Sequence, residues 1–166
     1  MRGNVAADAF GSEPGWQPAR HTVFRDERLA DQVHEEGFVV APFASDSQID
    51  DLRRLFARTH GIPRGEGGLF YSVYSRDYEY RATVDREARA ILLPSFERTF
   101  VNYDNVVNMF VVKVPGPASE FPIHQDSTAL DESHHSPLNC WLPLTAITRL
   151  NGPLAFARRT HRFASP

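Results

Sequence analysis

The chain is poor in four things, and each lack narrows what it can be. Cysteine occurs once, at Cys140, so no disulfide can close within the chain. A lone thiol fits a reducing cytoplasm, which is the expected location. Long apolar runs are missing: nothing approaches the roughly 20 consecutive apolar residues of a membrane span. Residues 1–20 carry Asp8 and Glu13 and no apolar stretch, so they do not read as a secretory signal. No membrane partner is expected. Charge of one sign is not in excess either. The net charge of -3 leaves no basic footprint for nucleic acid, and no such partner is expected. Lysine is the fourth lack. Of 18 cationic side chains only Lys113 is a lysine, the rest being arginine. The two are not interchangeable at sites of defined geometry, which makes Lys113 worth following.

What is present describes one globular domain. At 166 residues, 42% hydrophobic and 23% charged, the chain is long enough to bury a core. Residues 1–20 contain Gly, Ala and Pro with little periodicity and read as a flexible leader; the domain is expected over 21–166. Asp26 to Glu36 has helical spacing and is closed by Gly37. Phe38-Val39-Val40 reads as a short buried strand that Pro42 ends. Ser45-Asp46-Ser47-Gln48 is a capping box, and Ile49, Leu52, Leu55 and Phe56 form the inner face of the helix behind it. Gly65-Glu66-Gly67-Gly68 is a loop without the Lys-Ser/Thr of a phosphate cradle. Tyr71, Tyr74, Tyr78 and Tyr80 fit either packing under a rim or the wall of a substrate pocket. Asp85 to Leu93 predicts a helix broken at Pro94, with Ser95 capping a further turn.

Beyond that the character changes. Val106 to Val114 is a long β-type run ended by Pro115-Gly116-Pro117, and shorter strands are predicted near 121–125, 138–142 and 153–157 around an Asn151-Gly152 turn. Helices first and antiparallel strands after them make the class α+β.

Chemistry concentrates at His124-Gln125-Asp126. In an extended backbone residues i and i+2 point the same way, so an imidazole and a carboxylate would share one side of a sheet. That is two-thirds of the 2-His-1-carboxylate triad that holds non-haem Fe(II). By itself the pattern is common. Lys113 falls on one strand face with Asn105, Val107, Met109 and Val111. It either meets a carboxylate there or snorkels to solvent at the strand end. His134 and His135 lie in a polar stretch, Asp131 to Pro137, and read as solvated loop residues.

The ordered series Val111-Val112-Lys113-Val114-Pro115-Gly116, His124-Gln125-Asp126, Asn139-Cys140-Trp141-Leu142-Pro143-Leu144, Asn151-Gly152-Pro153-Leu154 and Thr160-His161-Arg162 resembles the phytanoyl-CoA dioxygenase family. Glu36 to Phe43, with the Ser45 helix behind it, resembles that family's opening, so the likeness spans residues 24–163. It implies N-terminal helices packed on a partial double-stranded β-helix, a cupin-like jelly roll. It also implies an Fe(II)/2-oxoglutarate-dependent dioxygenase, with O2 as second cosubstrate and a small organic or acyl molecule as substrate. Carried over by position, His124 and Asp126 are the iron ligands, and Lys113, Gln125 and Trp141 lie near 2-oxoglutarate. No catalytic residue is implied beyond the metal centre. Strict alternation turns Gln125 off the metal face, and Trp141 has core packing as its plain alternative. The family's Gly-Ser-His stands here as Arg159-Thr160-His161. Its second iron histidine and its arginine for 2-oxoglutarate would lie further along than the 166 residues reach, so a C-terminally truncated domain is expected. Three outcomes follow from that expectation. One is an oxygenase domain that binds iron weakly. Another is a pseudoenzyme or small-molecule binding module of the same fold. The third is a homo-oligomer assembled through exposed strand edges.

Overall fold

Asp26 opens the first helix of the computed structural model, which describes residues 23–59, 68–124 and 135–162. Its carboxylate accepts the Arg28 N–H at 3.0 Å, and Gly37 closes the helix in the left-handed conformation, φ 85°. Helix α1 therefore runs Glu27–Glu36, as its caps predict. Helix α2, Asp46–Thr59, starts on the expected capping box. The Gln48 N–H donates to Ser45 Oγ at 3.3 Å, and the Ser45 N–H donates to Gln48 Oε1 at 2.9 Å. The remaining helix, α3, spans Tyr78–Thr99 and begins where Asp77 accepts the Tyr80 N–H at 3.0 Å.

Two expectations for α3 fail. It begins at Tyr78 rather than Asp85, so Tyr78 and Tyr80 are helical, and it does not break at Pro94. Proline removes one backbone donor and crowds the preceding turn. Here α2 steadies that turn from outside. Gln48 Nε2 donates to the Ile91 carbonyl at 2.7 Å, and Ser95, fully buried, donates to Gln48 Oε1 at 2.8 Å. One amide thus caps its own helix and grips the next one at its weak turn.

The core lies in the seam of these two helices. Leu52 and Leu55 from α2 meet Val84, Ala88 and Leu92 from α3, with Phe110 closing one end. Ile91, Phe56, Leu142 and Leu144 pack around them. The i, i+4 spacing of 84, 88 and 92 puts those three residues on one face. A second apolar group gathers Phe24, Phe43, Phe96, Phe100 and Tyr103, with ring centroids 5.1 to 6.1 Å apart.

The sheet is small. Strand β1, Gly68–Tyr71, pairs antiparallel with β2, Val111–Val114, in the register Gly68↔Val114 to Tyr71↔Val111. Only the end of the predicted 106–114 run forms a strand. Phe38-Val39-Val40 forms none, and Val40 is 84% exposed. No ladder includes 121–124, 138–142 or 153–157; residue 125 lies outside the described residues. A strand exists through its pairing, and these segments have no partner strand among the described residues. Many apolar side chains there stay exposed, among them Val107, Met109, Ile123, Leu138, Leu154 and Phe156. The Asn151-Gly152 turn is present, with Gly152 at φ 78° and the Thr148 N–H donating to Asn151 Oδ1 at 2.7 Å. Among the described residues the architecture is thus three helices and a two-stranded antiparallel sheet, consistent with part of an α+β fold. No described helix is long and apolar enough to cross a membrane. The leader and the Gly65–Gly67 loop lie outside the described residues.

Candidate metal centre

Strand β2 delivers the candidate site. After Val114 the chain turns at Gly116, where Ser119 donates from Oγ to the Gly116 carbonyl at 2.7 Å and from its N–H at 3.0 Å. His124 follows on an exposed stretch, its ring edge-on to Phe121 with centroids 4.2 Å apart. Its Nδ1 lies 2.9 Å from the Pro122 carbonyl oxygen. A carbonyl can only accept, so Nδ1 is the donor in this contact. Metal-binding histidines are commonly fixed in this way, one nitrogen on a backbone carbonyl and the other on the ion. A histidine held in this way suits a divalent ion such as Fe(II).

The rest of the set is dispersed or undescribed. Asp126 and Gln125 lie outside the described residues, as does His134. His135 is exposed. No three His, Cys, Asp or Glu side chains among the described residues gather as a metal site. Trp141 is 47% exposed while its neighbour Leu142 packs on the core, so Trp141 is not a core residue. Of the tyrosines, Tyr74 and Tyr78 are 79% and 74% exposed and wall no enclosed pocket. Tyr71 is half-buried with its ring against Tyr74. Tyr80 packs against the core, and burial pushes its phenol above the usual range while a hydrogen bond to Ser72 opposes the shift.

Lys113 is exposed on β2 opposite Leu69, and its stem lies over Gly152. Asn105 is not a face-mate of Lys113, since residues 105–108 form no strand. Its side chain pairs with Asn108 instead, and its carbonyl accepts Arg89 Nη1. Asp85 on α3 completes this group, accepting the Asn108 N–H at 2.7 Å and its amide at 3.0 Å. No sequence signal singles out Asp85; only the fold brings it to Asn108.

His161 also has a structural place. Its Nε2 donates to the His34 carbonyl at 3.0 Å, and its ring covers Gly37, where a Cβ would come within 2.5 Å of Nδ1. Beside it, Arg158 and Arg159 bind Glu36 at 2.5 and 3.1 Å, the Arg159 N–H donates to the Glu36 carbonyl at 2.9 Å, and Phe156 stacks on Phe38. The Arg158 guanidinium, with Arg159 behind it, outweighs burial and brings the Glu36 carboxyl down to about 2. A carboxyl lowered on folding stabilises the fold above its ordinary value and loses that contribution as pH falls through the folded one. We therefore expect the 156–161 segment to loosen from α1 as pH drops from 4.5 toward 2. Contacts between the Phe38 and Phe156 rings, read by nuclear Overhauser effects, should fade over that window. Glu36→Gln should weaken them already at neutral pH. Contacts unchanged in the variant would show that the arginines do not hold the segment.

A protein-family model described as phytanoyl-CoA dioxygenase (PhyH) matches residues 17–165. No curated protein and no solved structure matches the chain. With nearly its whole length matched, the chain belongs to the phytanoyl-CoA dioxygenase family, which implies the Fe(II)- and 2-oxoglutarate-dependent oxygenase kind of function.

Proposed function

We propose that this domain is a 2-oxoglutarate-dependent dioxygenase of the family's jelly-roll type, hydroxylating a small organic or acyl substrate. The observation that carries the reading is the contact of His124 Nδ1 with the Pro122 carbonyl at 2.9 Å, the kind of hold under which the other ring nitrogen ligates a metal. Asp126 would supply the second ligand, an anionic oxygen suited to a divalent ion. When bound, the iron supplies activation of O2 coupled to decarboxylation of 2-oxoglutarate to succinate. The chain's own part is binding and orientation. The Pro122 carbonyl holds the Nδ1 proton of His124 and so fixes the ring for ligation. The Lys113 ammonium would neutralise a carboxylate of 2-oxoglutarate. Trp141, with its ring half exposed, and Gln125 would flank that cosubstrate.

The test is to load the chain with Fe(II) and follow succinate formed from 2-oxoglutarate. His124→Ala should abolish iron binding, measured by metal analysis after desalting, and turnover with it. Loss of one ligand commonly costs orders of magnitude in affinity, whereas loss of a supporting contact costs about 10–100-fold. Iron retained by His124→Ala would overturn the assignment. A chain that binds 2-oxoglutarate equally well without iron and with His124→Ala would instead be a non-catalytic binding module.

A further inference from the structure

Lys113 and Gly152 come together across the sheet edge in a way that neither residue's own neighbourhood demands. The three heavy atoms nearest to a Cβ placed on Gly152 all belong to Lys113: Nζ at 2.5 Å, Cδ at 2.8 Å and Cε at 2.9 Å. Approaches under about 3 Å are essentially never seen at real Cβ atoms. Gly152 therefore answers two requirements. Its φ of 78° is one, and asparagine or aspartate could also adopt that conformation. Room for the lysine stem is the other: a Cβ there would push the end of that flexible side chain out of its present place.

Among the described residues nothing uses the hydrogen-bonding capacity of the seated charge. No described residue accepts a hydrogen bond from the Lys113 ammonium or pairs with it. The contrast is Gly37, whose open face is filled by His161, a side chain already bonded to the His34 carbonyl. A long lysine left free would lose rotamer entropy on meeting a ligand, and a seated one has lost part of it beforehand. Three ammonium donors held at a fixed place on the strand suit a carboxylate.

We infer that Gly152 is a positioning residue: the space left by its missing Cβ seats the stem of Lys113 and holds the ammonium in place for a carboxylate ligand. This rests on the reading of Lys113 as the partner of 2-oxoglutarate, and the experiment separates the two. Because Lys113 is the only lysine in the chain, lysine labelled with 13C and 15N reports on it alone. In the unaltered chain its Cε–Hε signals should differ from those of free lysine, with the two Hε resolved. Gly152→Ala should collapse them to free-lysine values. It should also weaken 2-oxoglutarate binding about tenfold, the worth of one charge-assisted hydrogen bond.

Stability measurements then separate space from backbone strain. Gly152→Ala should destabilise the chain less when Lys113→Ala is already present, because the clash is gone and only the φ cost remains. Free-lysine signals in the unaltered chain, or an equal Gly152→Ala cost in both backgrounds, would overturn the seat. Undiminished 2-oxoglutarate binding by Gly152→Ala would overturn its positioning role. Intact seat signals with no response to 2-oxoglutarate would overturn the carboxylate reading of Lys113 while leaving the Lys113–Gly152 contact standing.

Discussion

Leu55→Ala should cost about 3–4 kcal/mol of stability, a large effect for a single truncation in the described core. Leu55 is 1% exposed and sits in the α2–α3 seam with Leu52, Val84, Ala88 and Leu92. Its removal subtracts the transfer energy of the lost carbons and leaves a cavity between two helices. Those helices are tied at one end by Gln48 on Ile91 and Ser95, so they cannot simply close the gap. The core is also small: eight buried hydrophobic residues carry it among the described residues. A loss of that size is a large part of the margin of a typical domain. Urea unfolding followed by circular dichroism measures it, with Val40→Ala as the control. Val40 is 84% exposed and should change stability by less than about 0.5 kcal/mol. Equal losses in the two variants would mean that the α2–α3 seam does not hold the fold together.

What could be read from the sequence was local chemistry. The ends of α1 and the start of α2 follow from Asp26, Gly37 and the Ser45–Gln48 box, because a cap and its partner lie within four residues of each other. The continuation of α3 through Pro94 could not be read in that way, since what steadies it is an amide on another helix. Strands failed for the same reason. Composition marks residues that suit a pleated surface, but a ladder needs a partner, and of the expected strands only 111–114 finds one among the described residues. The error then spread to the site. Alternation assigned Asn105 to the face of Lys113, yet residues 105–108 bend onto α3 and Asn105 spends its polar groups on Asn108 and Arg89.

For the candidate site, residue types were visible and their supports were not. His124 stands out by its spacing to Asp126, and Lys113 by its rarity. The proton on Nδ1 of His124 depends on the Pro122 carbonyl, a matter of backbone geometry. The seat of Lys113 depends on a glycine far along the chain, which reads in sequence only as a turn residue. One support is a backbone group two residues away and the other a residue distant in the chain, and no periodicity records either.

Asp85→Ala should cost about 2 kcal/mol and should loosen the approach to β2. Burial pushes the Asp85 carboxyl up, but the Arg89 guanidinium and the two Asn108 N–H groups outweigh it and hold the group below its ordinary range. Arg89 reaches it at 2.9 and 3.0 Å. Truncation leaves the Asn108 N–H without its acceptor and the guanidinium without its counter-charge. Because both side chains are about one-third exposed, at 33% and 36%, water recovers part of the loss, which keeps the figure below that of a fully buried pair. Asp85→Asn retains an acceptor and should cost less. The charge also sets a direction with pH. A carboxyl lowered on folding stabilises the fold at neutral pH and loses that contribution as acid protonates it, so the gap between the unaltered chain and Asp85→Asn should narrow as pH falls. The structural consequence runs along the chain. Asn108 is two residues before Phe110, whose N–H donates to Ser72 Oγ at 2.9 Å while the Ser72 N–H returns a bond of 2.9 Å to the Phe110 carbonyl. Asp85 and Ser72 therefore clamp the segment that enters β2 from two sides. With one clamp gone, amide hydrogen exchange should quicken at Asn108 and then through Val111–Val114, where Lys113 sits. Exchange that quickens at Asn108 alone would show that the Ser72 clamp suffices to hold the strand.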